Sequence, residues 1–171
     1  LHDFFNGLVW LRFPHTKQRL NQLHAQALAA QGVGATRGPL RDAATLLDEN
    51  GALLLAPEPL WQALAARQWQ RLFVELRPLW QQAQCIVFGH ALLEQLMQPR
   101  KPLTAHVYQA RTAMKPGANL DAWLAQDLDA AHLARKPFTP LPVLGIPGWC
   151  ADNANYSFYD DSFVFRSARV A

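Results

Sequence analysis

The sequence predicts a single α+β domain, and three observations carry that expectation. Half of the 171 residues are hydrophobic and 17% are charged, the balance of one globular domain and not of a disordered or collagen-like chain. Apolar residues at helical spacing after Thr16 stand beside short strand-like runs at Gln84–Phe88 and Leu103–Ala110. Prolines and glycines crowd the region after Lys136, which predicts an irregular C-terminal wrap over the body. A chain of this length buries roughly two-thirds of its unfolded surface, so it needs no metal or disulfide staple to fold.

Leu1 to Phe13 is dense in aromatics (Phe4, Phe5, Trp10, Phe13) and ends at Pro14; it reads as a strand or a short helix, and periodicity does not decide between them. The clearest helix follows. Thr16 is placed to cap it, and Leu20, Leu23, His24, Ala27, Leu28 and Gln31 share one face before Gly32 and Gly34 stop it. Arg37-Gly38-Pro39 begins a turn. Thr45-Leu46-Leu47 and Ala52-Leu53-Leu54-Leu55, joined by Asp48-Glu49-Asn50-Gly51, read best as a hairpin, because Asn-Gly suits the positive φ angles of its turn. A helix over Arg41 to Leu47 is the runner-up.

Pro57 and Pro59 open a helix carrying Leu60, Trp61 and Leu64. Another helix spans Trp69 to Gln82, kinked or shortened by Pro78. Gln84 to Phe88 reads as a buried strand, Gly89 starts a helix to about Gln98, and Leu103 to Ala110 reads as the next strand. Asn119 caps a last helix through Asp121, Trp123, Leu124, Leu128 and Leu133. Phe138-Thr139-Pro140-Leu141-Pro142 cannot be a central strand and is expected as ordered loop. No internal repeat or low-complexity tract is present.

Sixteen Lys and Arg against thirteen Asp and Glu give a net charge of +3, spread along the chain. That permits nucleic acid as a partner without the basic stripe that would argue for it. The longest apolar runs, such as Ala52 to Ala56, are far shorter than the ~18 residues of a transmembrane helix, so no membrane partner is expected. The two cysteines, Cys85 and Cys150, form no Cys-x-x-Cys pair and imply a reducing, cytoplasmic setting. Cys85 sits in the strand-like run Cys85-Ile86-Val87-Phe88, where a thiol behaves as a small hydrophobe.

The runs His2-Asp3-Phe4-Phe5-Asn6, Leu8-Val9-Trp10-Leu11 and Phe13-Pro14 with Thr16-Lys17 carry a resemblance, as do Leu20-Asn21 with His24 and Arg37-Gly38-Pro39-Leu40-Arg41-Asp42. It continues through Asp48-Glu49-Asn50-Gly51-Ala52, Phe88-Gly89-His90-Ala91-Leu92-Leu93-Glu94 and Lys136-Pro137-Phe138. In the tail it runs from Pro140 to Trp149 and over Phe158-Tyr159-Asp160-Asp161. Across nearly its whole length the chain resembles the bacterial family catalogued as domain of unknown function 3025. Members of that family extend further at the N-terminus, so the chain, opening at Leu1, is expected to lack an N-terminal part. The family carries no established activity, so the resemblance implies no chemistry.

The residues themselves suggest two metal sites. The first comprises His2, Asp3, Asn6, Asn21 and His24, with Lys17 between them. His-metal-finger nucleases use a His base on a strand and an Asn or His on the following helix to hold one divalent cation, which polarises a phosphoryl group. His2 precedes Asn21 by a spacing that suits such a finger, and Asn21 and His24 share a helical turn. The paired His-His or Asp-His of those nucleases is absent from its usual place or lies upstream of Leu1. The lead expectation is therefore a metal-assisted hydrolase acting on phosphodiesters. In it His2 is the base, with Asp3 beside it, Asn21 and His24 sit near the cation, and Lys17 or Arg12 meets the phosphate. The plainer reading puts His24 on the apolar helix face and Asn21 in solvent.

The second candidate set is His90, Glu94 and His106, two imidazoles and a carboxylate able to bind a transition metal with an open position. Its plainer reading leaves His90 and Glu94 as a solvated pair on the polar face of their helix. Arg37, Arg41, Asp42, Asp48 and Glu49, around the expected hairpin, read as solvated surface or a structural ion pair. The alternative to an enzyme is a binding module built from the aromatic tail (Trp149, Tyr156, Phe158, Tyr159, Phe163, Phe165) and the basic turn Arg100-Lys101. Anchoring of that tail on the body is the favoured role for its aromatics.

Overall fold

The structure is a computed structural model that describes residues 1–31 and 38–168. The expected stops at Gly32 and Gly34 and the turn residue Arg37 lie outside the described residues. The chain opens with three helices, α1 (His2–Arg12), α2 (Pro14–Gln31) and α3 (Pro39–Asn50). Strand β1 (Gly51–Leu55) and α4 (Glu58–Ala65) follow, then a π-helical turn (Arg71–Glu75) and a 3₁₀ turn (Arg77–Gln82). Next come β2 (Gln84–Val87), α5 (His90–Gln95), β3 (Thr104–Tyr108), α6 (Leu120–Asp127), α7 (Ala130–Ala134) and β4 (Phe138–Pro142), with 3₁₀ turns in the tail. No described helix is long and apolar enough to cross a membrane.

The four strands form one mixed sheet in the order β2-β1-β3-β4. β1 runs antiparallel to β2 and parallel to β3, and β4 closes the far edge antiparallel to β3. Alternation along β1 sends Ala52 and Leu54 to one core and Leu53 to the other, so the sheet divides two apolar layers. On one side Leu53 and Tyr108 meet Leu20 and Leu23 of α2, Leu47 of α3 and Leu124 of α6. On the other, Ala52, Leu54 and Val107 meet Leu60 and Leu64 of α4, Phe73, and Tyr159 and Phe165 of the tail.

Residues 2–12 are helical, which settles the choice left open by periodicity; Val9 turns inward while Leu1, Phe4, Leu8 and Leu11 are exposed. α2 begins at Pro14, ahead of the expected cap. Its first-turn N–H groups are satisfied from α6: buried Asp121 accepts from His15 N at 2.9 Å and Thr16 N at 2.8 Å.

The expected hairpin is replaced by its runner-up. Leu40, Ala43, Ala44 and Leu47 fall on one helical face and pack in the core, and Asp48 to Asn50 complete the helix instead of turning. Gly51 has φ −76°, so it supplies no positive φ. It is there for proximity: a Cβ on it would stand 2.4 Å from Leu47 O.

The single helix expected over Trp69 to Gln82 is broken into the π and 3₁₀ turns, with Pro78 in the first turn of the second, where its missing N–H costs nothing. The helix begun at Gly89 ends at Gln95. The one capped by Asn119, whose side chain accepts from Ala122 N, ends at Asp127, and Asp129 caps α7 afresh by accepting from His132 N. Phe138–Pro142 is an edge strand instead of a loop; the edge is where a sheet tolerates residues that lack an N–H.

The tail is anchored through part of its aromatic set. Tyr159 and Phe165 are buried, and the Tyr159 ring stacks on Phe73 with centroids 5.1 Å apart. Arg77 donates to Tyr159 Oη and Asn153 Oδ1, while Asn153 Nδ2 donates to the carbonyls of Leu144 and Ile146. Trp149, Tyr156 and Phe163 remain exposed.

Candidate metal centre

Three elements distant in sequence meet at one end of the sheet. α3 delivers Asp48 and Glu49 just before β1, α5 delivers His90 just after β2, and α1 lies across α5 with His2 in its first turn. The approach of α5 to α3 depends on Gly89. Its N–H donates to Gly51 O at 2.8 Å, and a Cβ on it would stand 2.4 Å from Glu49 O and 2.5 Å from Asn50 N. Only a residue without a side chain brings His90 this close to Glu49.

His90 Nε2 lies 3.0 Å from His2 Nε2 and 3.4 Å from Glu49 Oε2. The rings meet edge to face, with centroids 4.5 Å apart. Among the described residues, His2, Glu49 and His90 form a group whose ligand atoms all lie within 4.8 Å of one another. Ligands ~2.0–2.1 Å from a zinc ion at tetrahedral angles stand about 3.3 Å apart, so the spacings of His90 Nε2 to His2 Nε2 and to Glu49 Oε2 suit one shared ion.

The outer contacts follow the pattern of metal-bound histidine, in which the second ring nitrogen faces a carboxylate. His2 Nδ1 is 3.2 Å from Glu94 Oε2, and His90 Nδ1 is 3.9 Å from Asp48 Oδ2. His90 is only 3% exposed, and its buried Nδ1 has no hydrogen-bond partner. When Nε2–H of His90 donates to His2 or Glu49, Nδ1 carries an unused lone pair. A cation taking the Nε2 lone pair would move that proton to Nδ1, the side on which Asp48 waits. Asp48 is itself held: buried Lys17 donates to its Oδ1 and, at 2.8 Å, to Asn6 Oδ1.

The cluster combines residues that the sequence had placed in separate sets. His2 comes from the first set, His90 and Glu94 from the second, and Asp48 and Glu49 from charges read as solvated surface or a structural ion pair, which Asp48 does form with Lys17. Asn21 and His24 share a turn of α2, Asn21 exposed and His24 half-buried, but His2 turns its ring to α5. The strand on which a His-metal finger carries its base is replaced by helix α1. Asp3 sits exposed in the first turn of α1, where its charge complements the helix dipole. Lys17 is committed to Asp48 and Asn6, and Arg12 lies ten residues, about 15 Å, along α1 from His2.

His106, half-buried on β3, pairs in register with Gly51 and stands outside the group; burial lowers its pKa. Lys101 is spent on the tail, 3.1 Å from Asp161 Oδ2 and over the Phe158 ring, with Arg100 exposed beside it. Burial pushes the Cys85 thiol up to about 12, which keeps it from serving as a nucleophile.

One signal for Glu49 and Asp48 was present in the sequence. Two acids end α3 with no base in its last turn, where the helix dipole disfavours negative charge. A cation from elsewhere offsets that cost, and Lys17 supplies one to Asp48.

Fold and site together define an α+β domain with a mixed four-stranded sheet and a two-histidine, one-carboxylate cluster at one end. The chain belongs to the family of proteins of unknown function designated DUF3025, whose model matches residues 1–169. No curated protein and no solved structure matches it.

Proposed function

We propose that this chain is a metal-assisted hydrolase that holds one divalent cation on His2 Nε2, His90 Nε2 and Glu49 and acts on phosphodiesters. The observation that carries this reading is the convergence of those three ligand atoms, with a carboxylate facing the second nitrogen of each ring. His2 is then a ligand and not the base. Glu94 fixes its ring, and Asp48, clamped by Lys17, stands ready to fix that of His90. A zinc ion so held would keep a position for water, lower that water's pKa to about 7 and polarise the oxygen of a bound phosphoryl group. His90 forms the buried floor, while the exposed His2 leaves the outer side open to substrate. The net charge of +3 suits an anionic substrate.

The test is thermal unfolding in EDTA and then with Zn²⁺, Mn²⁺ or Mg²⁺. A cation at a hundred times its Kd adds about 2.7 kcal/mol, a rise of roughly 5–10 °C at this size. Glu49→Gln and His2→Ala should abolish the rise, while Asn21→Ala and His106→Ala keep it. Hydrolysis of bis(p-nitrophenyl) phosphate in preference to p-nitrophenyl acetate should follow the same variants. No rise with any of the ions, or a rise that survives both Glu49→Gln and His2→Ala, overturns the metal assignment. Metal binding with no phosphodiester turnover overturns the substrate class alone.

A further inference from the structure

A cleft lies toward the other end of β1 from the metal cluster, and it follows from the topology. Parallel strands β1 and β3 are in register only at Gly51↔His106 and Ala52↔Val107, although β1 runs on to Leu55. Beyond that point the chain leaves β1 for α4, which packs on one face of the sheet, and leaves β3 for α6, which packs on the other. Where two parallel strands send their connections to opposite faces, a crevice opens outside their carboxyl ends, the usual ligand position in sheets of this kind. Here it measures about 680 Å³, within the range of small-molecule sites.

Its walls have a definite chemistry. Trp61, Trp123 and Met114 supply large apolar surfaces, and the Trp61 N–H is already spent on Leu54 O, so that indole offers its ring and not a donor. Arg111 is the one basic residue on the lining. Its Nε donates to Asp127 O at 2.8 Å and an Nη to Gln126 O at 3.3 Å. These main-chain acceptors orient the guanidinium, and among the described residues no carboxylate forms an ion pair with it. The Asp127 carboxylate is occupied instead by Arg111 N, Thr112 N, Thr112 Oγ1 and Tyr108 Oη, which pins the start of the loop that carries the arginine. Glu58, the lining's one acid, belongs to α4 and accepts from Gln62.

We propose that this cleft binds a small aromatic carboxylate, its ring against Trp61 and Trp123 and its anion on Arg111. The cleft meets β1 from Leu53 onward and shares no residue with the metal cluster, so this site stands whether or not the metal reading does.

Three naphthalene probes of one shape test it: 2-naphthoate, 2-naphthalenemethanol and 2-naphthylmethylamine, each titrated into the ¹⁵N-labelled chain and followed by amide shifts. The expected result is saturable shifts centred on Leu54–Ala56 and Gln109–Met114, with the acid bound at least tenfold more tightly than the alcohol. Arg111→Gln should bring the acid down to the alcohol's affinity. Ala65→Trp, which fills the cleft from an exposed position on α4, should abolish all three while leaving the rest of the spectrum in place. The assignment is overturned by shifts that do not saturate or that centre elsewhere. It is equally overturned by an amine that binds as tightly as the acid, or by binding that Ala65→Trp does not affect.

Discussion

Gly89→Ala isolates the contact that builds the cluster. The added Cβ would sit 2.4 Å from Glu49 O, 2.5 Å from Asn50 N and 2.5 Å from Glu49 C, all main-chain atoms that no rotamer change can move. A carbon–oxygen contact relaxes to about 3.3 Å, so α5 must retreat from α3 by about 1 Å. Metal ligation tolerates roughly 0.2 Å. The retreat carries His90 Nε2 away from Glu49 Oε2, now 3.4 Å distant, and weakens the bond from Gly89 N to Gly51 O. Overpacking of this kind costs about 1–3 kcal/mol. Gly89 has φ −63° and ψ 121°, which alanine adopts freely, so a lower unfolded-state entropy returns about 0.4–1 kcal/mol. The net loss of about 1–2 kcal/mol corresponds to a fall of roughly 2–8 °C in Tm in EDTA. The rise on adding Zn²⁺ should disappear altogether. Gly7→Ala is the control: nothing lies within 4 Å of its Cβ position inside α1, and removing a mid-helix glycine should raise Tm by about 1–4 °C and leave the metal response alone. A Gly89→Ala chain with the parent's Tm and the parent's Zn²⁺ response would refute the claim that this approach holds the site together.

Other consequences can be checked separately. Lys17→Met removes the buried cation that balances Asp48 at the C-terminus of α3; the stranded carboxylate should cost about 3 kcal/mol, or 6–12 °C in a thermal melt, and a change under 2 °C would show the pair to be inconsequential. Asp127 has a depressed pKa: burial works against its charged form, but the N–H of Arg111, the hydroxyls of Thr112 and Tyr108 and the N–H of Thr112 outweigh it. The unfolded chain therefore binds this proton first, so the contribution of Asp127 is complete above about pH 5 and is lost as pH falls through the folded value, below about 4. In urea melts from pH 6 down to pH 2.5, Asp127→Asn should start less stable and lose less on acidification, and a parallel acid limb would contradict the linkage. With the Cys85 thiol pushed up to about 12, a disulfide reagent at pH 8 should modify Cys150 alone in the folded chain and reach Cys85 only on unfolding.

How much of the fold could be read from the sequence depended on whether the deciding interaction was local. The Asn119 cap, the Gly89 start of α5 and the strands around Cys85 and Val107 are set by residues within a turn of one another, and each stands within a few residues of its expected place. Residues 48–51 were different. Asn-Gly turn chemistry competed with the 3.6-residue apolar period of Leu40, Ala43 and Leu47, and the period prevailed because those side chains bury against α2 and the sheet. Nothing local reveals that Gly51 is needed for its closeness to Leu47. The N-terminus of α2 shows the same limit, since the acceptor of its first N–H groups comes from Asp121, more than a hundred residues away. For the site, the sequence supplied the ligand types but grouped them by spacing. The contact between α1 and α5 that joins His2 to His90 spans 88 residues, and no periodicity reports it.

The electrostatics of the cluster argue for a cation independently of ligand geometry. Asp48, Glu49 and Glu94 bring three carboxylates to the two imidazoles, and Lys17 returns one positive charge, leaving −2 with the rings neutral. Two of the acids also end a helix, where the main-chain carbonyls add to the negative potential. Two protons on the imidazoles would restore neutrality, but the Nε2 atoms stand 3.0 Å apart and would then face each other as donors with no lone pair between them. One divalent ion would cancel the same charge and use both lone pairs. It would also put the His90 proton on the buried Nδ1, which has no hydrogen-bond partner and faces Asp48 Oδ2 at 3.9 Å. Charge, geometry and the orphaned nitrogen are thus all accommodated by the proposed ion, and titration with Zn²⁺ monitored at the His90 ring tests all three at once.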